Sequence, residues 1–382
     1  TRKPRDFIRT PMLLAVTPLP IPLSTPPETT TYFMQSTGFG AVHVGLSRLS
    51  GMWKDSVSSS IVNHQVSDLP SIPMGTVPTR ILVTGALGQI GTELVESLRD
   101  KYGHEAVIST DVRESEGCIQ LDVMDAKRIE DLVQSKGITD IYHLAALLSA
   151  TGEKNPDLCW SINVDGLVNV ISVAKKHNCR LFSPSSIAVF GPDCPKHAPQ
   201  VTGLSPTTMY GKTKVVGEQL AMTSDIDMRG LRYPGLISWK APAGGGTTDY
   251  AVEIFHAALS DGYYNCFVRE DTRLPMMYMD DAIRATLELM EAPLDSLSGA
   301  RGGYNIAGCS FTVGELVESI RRHIPEFICN YEPDVRQNYA DSWPDSIEDN
   351  VARKEWGWVP EFDLDRIVDE MIVNLRNSQS SS

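Results

Sequence analysis

"RILVTGALGQIG", residues 80–91, decides how the rest of the chain reads. Ile81 to Thr84 form a strand-like apolar run, and Gly85, Gly88 and Gly91 follow at GxxGxxG spacing. "IGTELVESLRDKY" (90–102) then repeats its apolar residues at the helical period. A glycine triplet alone is weak evidence, because any tight turn uses glycine. At a strand-to-helix turn it carries more. Missing side chains let the backbone approach a pyrophosphate, whose charge meets the unpaired N–H groups and positive end of the helix. Gly85, Gly88 and Gly91 are therefore candidate contacts to a dinucleotide.

Downstream, "AVISTD" (106–111), "AKRIEDLVQSK" (126–136) and "DIYHLAA" (140–146) continue the alternation of short β-branched runs with amphipathic helices. A long helix at about Asp157–Lys176, a strand at "CRLFSPSS" (179–186), a helix carrying Tyr210 and a strand at "RGLRYPG" (229–235) extend it. Near-continuous apolar strands between helices predict an α/β fold, a doubly wound parallel sheet of the Rossmann kind. Beyond Gly235 the regularity gives way to Gly- and Pro-punctuated segments, with helices expected at 249–260, 280–291 and 312–323. The expected organisation is an N-terminal extension (1–78), a dinucleotide-binding domain (79–235) and a smaller C-terminal α/β substrate lobe (236–378). Segments near 265–292 are expected to return to the first domain.

Asp111 ends the second strand, twenty residues after Gly91. A carboxylate there accepts hydrogen bonds from the adenosine ribose hydroxyls, which selects NAD. A 2′-phosphate would set anion against anion unless Arg113 swung in to compensate. Asp122 is a candidate for the adenine amino group, and an exposed loop carboxylate is an equally fair reading of it.

"SPTTMYGKTK" (205–214) sets Tyr210 and Lys214 at i and i+4, one above the other on a helix face. In isolation the pair reads as packing. Beside a dinucleotide it reads as a base for a hydroxyl substrate that gives up a hydride. A tyrosine with pKa about 10 is a poor base at neutral pH, so the ammonium and the positive nicotinamide ring are expected to bring the phenol down. Ser183, Ser185 and Ser186 lie at the end of the preceding strand, the sheet edge where ligands bind. Ser186 or Ser185 is the candidate hydroxyl donor to the substrate oxygen.

Taken together, TGxxGxxG, "HLAA" (143–146), the serine turn, YxxxK and "RYPG" (232–235) resemble the extended short-chain dehydrogenase/reductase family over about Arg80 to Arg376. Longer strings are more specific: "LLSATGEKNP" (147–156), "PSSIAVFGP" (184–192), "GGGTTDYAVEIF" (244–255), "MMYMDDAIRATLELM" (276–290) and "ADSWPDSIEDNVARKEWGW" (340–358). They resemble the NAD-dependent L-threonine 3-dehydrogenases. The resemblance implies oxidation of L-threonine at its Cβ hydroxyl to 2-amino-3-oxobutanoate, with NAD reduced and no metal required. It gives Tyr210 the acid/base role, Lys214 the electrostatic one, and cofactor contacts to Gln89, Ile90, Asp122, Val123, Leu144, Ala145, Ala146 and Leu236. It also implies a homodimer. Phe190 stands where nucleotide-sugar enzymes of the family often show tyrosine.

A small zwitterionic substrate needs polar partners, and "GGGTTD" offers backbone N–H groups at Gly246 with Thr247 and Thr248. Ser149 and Trp343 are further candidates. The loop 194–208 before Tyr210 is long and bears on access. Two rivals stand beside the dehydrogenase: a nucleotide-sugar epimerase or dehydratase, which needs a larger pocket, and a cofactor-sensing regulator, which would usually lack the Tyr or Lys.

Composition limits the partners. The net charge of −14 over 382 residues argues against a nucleic-acid backbone. Seven cysteines without CxxC spacing suggest neither a zinc site nor a disulfide framework. No apolar run approaches the roughly 20 residues that span a bilayer. In the first ten residues Arg2, Lys3, Arg5 and Arg9 face only Asp6, the pattern of an organelle-targeting leader. The expectation is the mitochondrial matrix, with a disordered tail or misassigned start, and a cytoplasmic enzyme, as the competing reading.

Overall fold

In the computed structural model, which describes residues 78–380, the 80–91 stretch folds as strand, turn and helix: β1 (Ile81–Thr84), then α1 (Gln89–Tyr102). The 1–78 extension and its proposed leader lie outside the described residues, save Pro78. β2 (Val107–Asp111), β3 (Ile119–Gln120), α2 (Ala126–Lys136) and β4 (Asp140–His143) follow. Asp125 caps α2 by accepting from Arg128 N, and Gly137 ends it in the left-handed conformation at φ 63°.

The long helix expected at 157–176 begins after a short helix, α3 (Ser149–Lys154), and is not uniform. α4 (Pro156–Trp160) and α5 (Gly166–His177) are joined by a π turn at Ser161–Asp165. Within that turn the Asn163 side chain accepts from Leu147 N and donates to Leu147 O, anchoring the segment that leads into α3. β5 (Arg180–Phe182), β6 (Ser185–Ser186), β7 (His197–Ala198) and α6 (Met209–Thr223) come next.

The single strand expected at 229–235 is three: β8 (Met228–Arg229), β9 (Leu231–Tyr233) and β10 (Gly235–Ile237). Gly230 and Pro234 make the breaks. A Cβ on Gly230 would lie 2.5 Å from the Ser183 carbonyl oxygen, so the strand turns where only glycine fits. Proline withholds an N–H from any continuing ladder.

The main sheet is parallel throughout, in the order β3-β2-β1-β4-β5-β8. This is the doubly wound arrangement, reversing direction between β1 and β4. Both faces are covered, which explains the unbroken apolar strands. Leu82 and Ile141 point into a cluster with α2 and α5. Ile81 and Val83 point into another with Leu94 and Leu98 of α1.

The chain after β10 runs through α7 (Tyr250–Ser260), β11 (Tyr263–Cys266), β12 (Arg273–Tyr278) and α8 (Met279–Glu291). α8 packs on α1, with Ala282, Leu289 and Met290 in the α1-side cluster. The largest cluster draws on both sides of Gly235, joining Ile187, Phe190 and Tyr210 to Tyr250, Phe255, Met276 and Phe311. The 194–208 loop is tied down where β7 pairs with Ser346–Ile347 and Lys196 bridges to Asp345.

Candidate active site

The glycines of the first turn do different work. Gly85 sits at φ 71°, and a Cβ there would lie 2.6 Å from Ala145 N, so glycine is required for β1 and the end of β4 to meet. A Cβ on Gly91 would lie 2.3 Å from Gly85 O. Gly91 lets α1 close onto the turn. Gly88 is the N-cap of α1, and no side chain caps that helix. The positive end of α1 is thus left to a ligand.

Gly85, Gly88, Asp111, Asp122, Val123 and Leu144–Ala146 line one cleft. Met124, Leu158 and Ile162 supply its apolar walls. Sequence reasoning missed these three, since single apolar residues read as core. Leu158 is 51% exposed, leaving apolar surface open for an aromatic base to cover. Asp111 accepts from Leu87 N at 3.1 Å and from the Arg113 backbone and Nε at 3.0 Å each. Burial would raise its pKa, but the hydrogen bonds from Arg113 and Leu87 outweigh it and hold the carboxyl below the usual range. Arg113 is therefore already paired, not waiting for a phosphate. Asp122 accepts from Met124 N at 2.9 Å, which makes it at least a turn cap.

Gln89 carries an independent sign of a ligand. Its Nε2 is buried and finds no hydrogen-bond partner among the described residues. An amide donor orphaned at a bare helix N-terminus fits an anionic group such as a pyrophosphate. The residues present fit a dinucleotide.

A second cavity adjoins this cleft through Leu144 and Ala146. Gln89, Ile90 and Leu236 line it from the cofactor side; Ser149, Ser185, Ser186, Tyr210, Lys214, Gly246, Thr247, Thr248 and Trp343 line the rest. Among the described residues no cluster of His, Cys, Asp or Glu has the makings of a metal site.

Tyr210 and Lys214 stack as their spacing predicts, with Nζ 5.5 Å from the ring centroid. The electrostatic consequence differs from the expectation. Burial pushes the phenol up to about 12, offset only in part by a hydrogen bond with Ser186. Burial also pulls the Lys214 ammonium down to about 8. Lys214 Nζ donates to the Pro184 carbonyl at 2.8 Å. The protein's own groups thus leave the phenol protonated at neutral pH, because desolvation of the charged form outweighs the Ser186 hydrogen bond.

The two serines part company. Ser185 Oγ donates to Glu218 Oε1 at 2.5 Å, and Glu218 is clamped by Arg232 through Nε at 2.8 Å and Nη2 at 2.7 Å. Ser186 faces Tyr210 and accepts from Ala188 N at 3.2 Å. Phe190 is fully buried, with the Arg232 guanidinium 5.4 Å from its ring centroid.

The glycine-rich loop is held by Asp249, whose Oδ2 accepts from Gly245 N and Gly246 N at 2.7 Å each. Burial pushes this carboxyl up, with the two backbone N–H groups opposing. Asp249 lines the same cavity and was not singled out from sequence, although "GGGTTD" contains it. Thr247 Oγ1 lies 3.2 Å from Ser149 Oγ, joining two stretches far apart in sequence. Thr248 packs on Gly235, where a Cβ would lie 2.8 Å from its Cγ2.

The sequence matches the NAD dependent epimerase/dehydratase family over residues 81–307. The bovine protein named L-threonine 3-dehydrogenase, mitochondrial, is 46% identical over 314 residues, 79% of this chain and 83% of its own length. A solved structure described as a monomeric L-threonine 3-dehydrogenase from a metagenome, apo form, shares 54% identity, with TM-score 0.76 over 78% of this chain and 99% of its own. A GalE-like L-threonine dehydrogenase from Cupriavidus necator, holo form, is 50% identical, with TM-score 0.75 over 78% of this chain and 99% of its own.

Proposed function

The chain belongs to the NAD dependent epimerase/dehydratase family, and from that premise we propose that it is an NAD-dependent L-threonine 3-dehydrogenase, forming L-2-amino-3-oxobutanoate. The observation that carries this reading is a single cavity in which Tyr210, Lys214 and Ser186 meet a hydroxyl-rich loop. The loop is tied across the cavity by the Ser149–Thr247 contact, and Trp343 is buried in the lining, a wall suited to a small amino acid. A nucleotide sugar needs more room.

NAD supplies the hydride-accepting nicotinamide, a positive ring when oxidised. Tyr210 takes the proton of the substrate Cβ hydroxyl at its phenol oxygen. Ser186 donates to the same substrate oxygen as it gains carbonyl character, and Ser185 supports the turn through Glu218. Lys214 sits on the phenol ring and holds the Pro184 carbonyl beside it. Because the phenol begins at about 12, the base form depends on positive charge arriving with the cofactor. Thr247 and Thr248 face the substrate carboxylate; Gly246 shapes the loop with its N–H given to Asp249, whose carboxylate faces the substrate ammonium. Gly85, Gly88, Gln89 and Ile90 hold the pyrophosphate, Asp111 the ribose, Asp122 and Val123 the adenine, and Leu144–Ala146 and Leu236 the nicotinamide side.

The test is NADH absorbance on adding L-threonine, with L-allo-threonine, serine and UDP-glucose as comparisons. Turnover of UDP-glucose with threonine inert ends the reading. Residues 79–235 and 236–378 are assigned as cofactor domain and substrate lobe. Mitochondrial location with a leader in 1–78 is supported by the basic start and by the bovine relative's name. A purely cytosolic signal from a 1–78 reporter fusion ends that part. A homodimer, as the family resemblance implies, completes the reading. A monomeric mass in light scattering ends only the dimer.

A further inference from the structure

Helix α3 touches the substrate loop on one side and the catalytic helix on the other. On the loop side, Ala150 N donates to Gly245 O at 3.3 Å and Ser149 Oγ meets Thr247 Oγ1 at 3.2 Å. On the catalytic side, a Cβ on Gly152 would lie 3.8 Å from the Tyr210 Cβ. The Glu153 carboxylate accepts from Met209 N at 2.5 Å and Tyr210 N at 3.4 Å.

An α-helix leaves its first N–H groups unpaired, and its own N-cap residue usually serves one of them. Thr208 does so here, accepting from Gly211 N at 3.1 Å. The two N–H groups before it, one of them Tyr210's own, are served by Glu153, from 56 and 57 residues upstream. Ordinary capping needs no such long reach. The arrangement makes a continuous path of short contacts: Thr247 and Gly245, then Ser149 and Ala150, then Glu153, then the backbone of Tyr210.

We propose that Glu153 is a positioning residue through which engagement of the 245–247 loop sets the placement of Tyr210. The proposal rests on the dehydrogenase reading for its kinetic arm only. A misplacement of the base by about 1 Å can cost about 10²-fold in rate, so a tie at the root of the catalytic helix has ample leverage.

The experiment uses the full chain and two variants, Glu153→Ala and Glu153→Gln; the second keeps a carbonyl acceptor and guards against simple misfolding. Expected for Glu153→Ala is a fall in kcat with L-threonine of about tenfold or more, with NAD affinity within about twofold, and faster hydrogen exchange at the 208–212 amides. Glu153→Gln recovers most of each. In the absence of any substrate, Thr247→Ala speeds exchange at 208–212 in the parent and adds nothing in Glu153→Ala, the signature of a shared path. A capping role alone lowers the melting temperature of Glu153→Ala while leaving kcat per folded site unchanged, and that result overturns the proposal. Equal effects of Thr247→Ala with and without Glu153 overturn it as well. Should the parent itself fail to oxidise threonine, the dehydrogenase reading falls and the exchange cycle alone decides the role of Glu153.

Discussion

The cofactor cleft and the substrate cavity share a boundary at Leu144 and Ala146 but are built in opposite ways. The first is lined by the turns at the ends of neighbouring parallel strands, at Gly85 and Gly88, 111–113, 121–124 and 144–147, with Leu158, Ser161 and Ile162 across from them. Its geometry follows from where a Cβ is forbidden, at Gly85 and Gly91. The second is assembled from segments around residues 89, 149, 186, 210, 247 and 343, held by single side-chain contacts such as Ser149 to Thr247. A local site tolerates little change in its backbone; an assembled one responds most to changes in charge and position.

Tyr210→Phe gives the largest effect on the assembled side. Threonine-dependent NADH formation falls about 10²–10⁴-fold, while NAD binding followed by fluorescence is nearly unchanged. Intact turnover would leave the cavity without its base. On the local side, Gly91→Ala adds a Cβ 2.3 Å from the Gly85 oxygen. A loss of about 1–3 kcal/mol in urea unfolding is expected, and an unaltered midpoint would mean that α1 does not seat on the turn as described.

Asp111→Ala removes a carboxylate that the protein keeps ionised. The KM for NAD rises about tenfold and the preference over NADP shrinks; an unchanged NAD/NADP ratio of kcat/KM would move ribose recognition elsewhere. Thr248→Val keeps the shape and deletes a hydroxyl, so the KM for threonine rises about 3–10-fold with that for NAD steady. Equal shifts in both would erase the distinction between the two sites.

His143 acts only through the pH dependence of stability. Burial, with Lys214 adding, depresses it from 6.5 to about 3, and its Nδ1 lies 2.8 Å from Thr84 Oγ1. A depressed folded pKa means the unfolded chain takes up the proton first as pH falls. Its stabilising contribution is therefore complete above 6.5 and is lost between 6.5 and about 3, at up to about 1.4 kcal/mol per pH unit. His143→Gln should flatten that limb of the unfolding free energy by up to one proton's slope, read from urea titrations at several pH values.

The residues that were legible are those whose meaning is carried by near neighbours. A strand, a glycine turn and a helix declare themselves through periodicity and the absence of side chains, and Tyr210 over Lys214 follows from 3.6 residues per turn. The uniform 157–176 helix was expected because its apolar period runs on; Asn163 turning inward to Leu147 inserts a π turn that no local pattern marks. Ser185 and Ser186 were indistinguishable for the same reason. Their separation depends on Glu218 of α6, clamped by Arg232 of the neighbouring β9, claiming one of them.

From its sequence alone this chain determined a doubly wound dinucleotide domain and the pairing of tyrosine with lysine, since both are properties of bond geometry within a few residues. Only the tertiary structure decided that the phenol stands at about 12, that Ser186 faces it, that Asp249 holds the substrate loop and that Glu153 grips the base of the catalytic helix. Desolvation depends on the packed volume around a group, and long-range hydrogen bonds depend on which distant segments meet. Neither quantity exists until the chain has closed on itself.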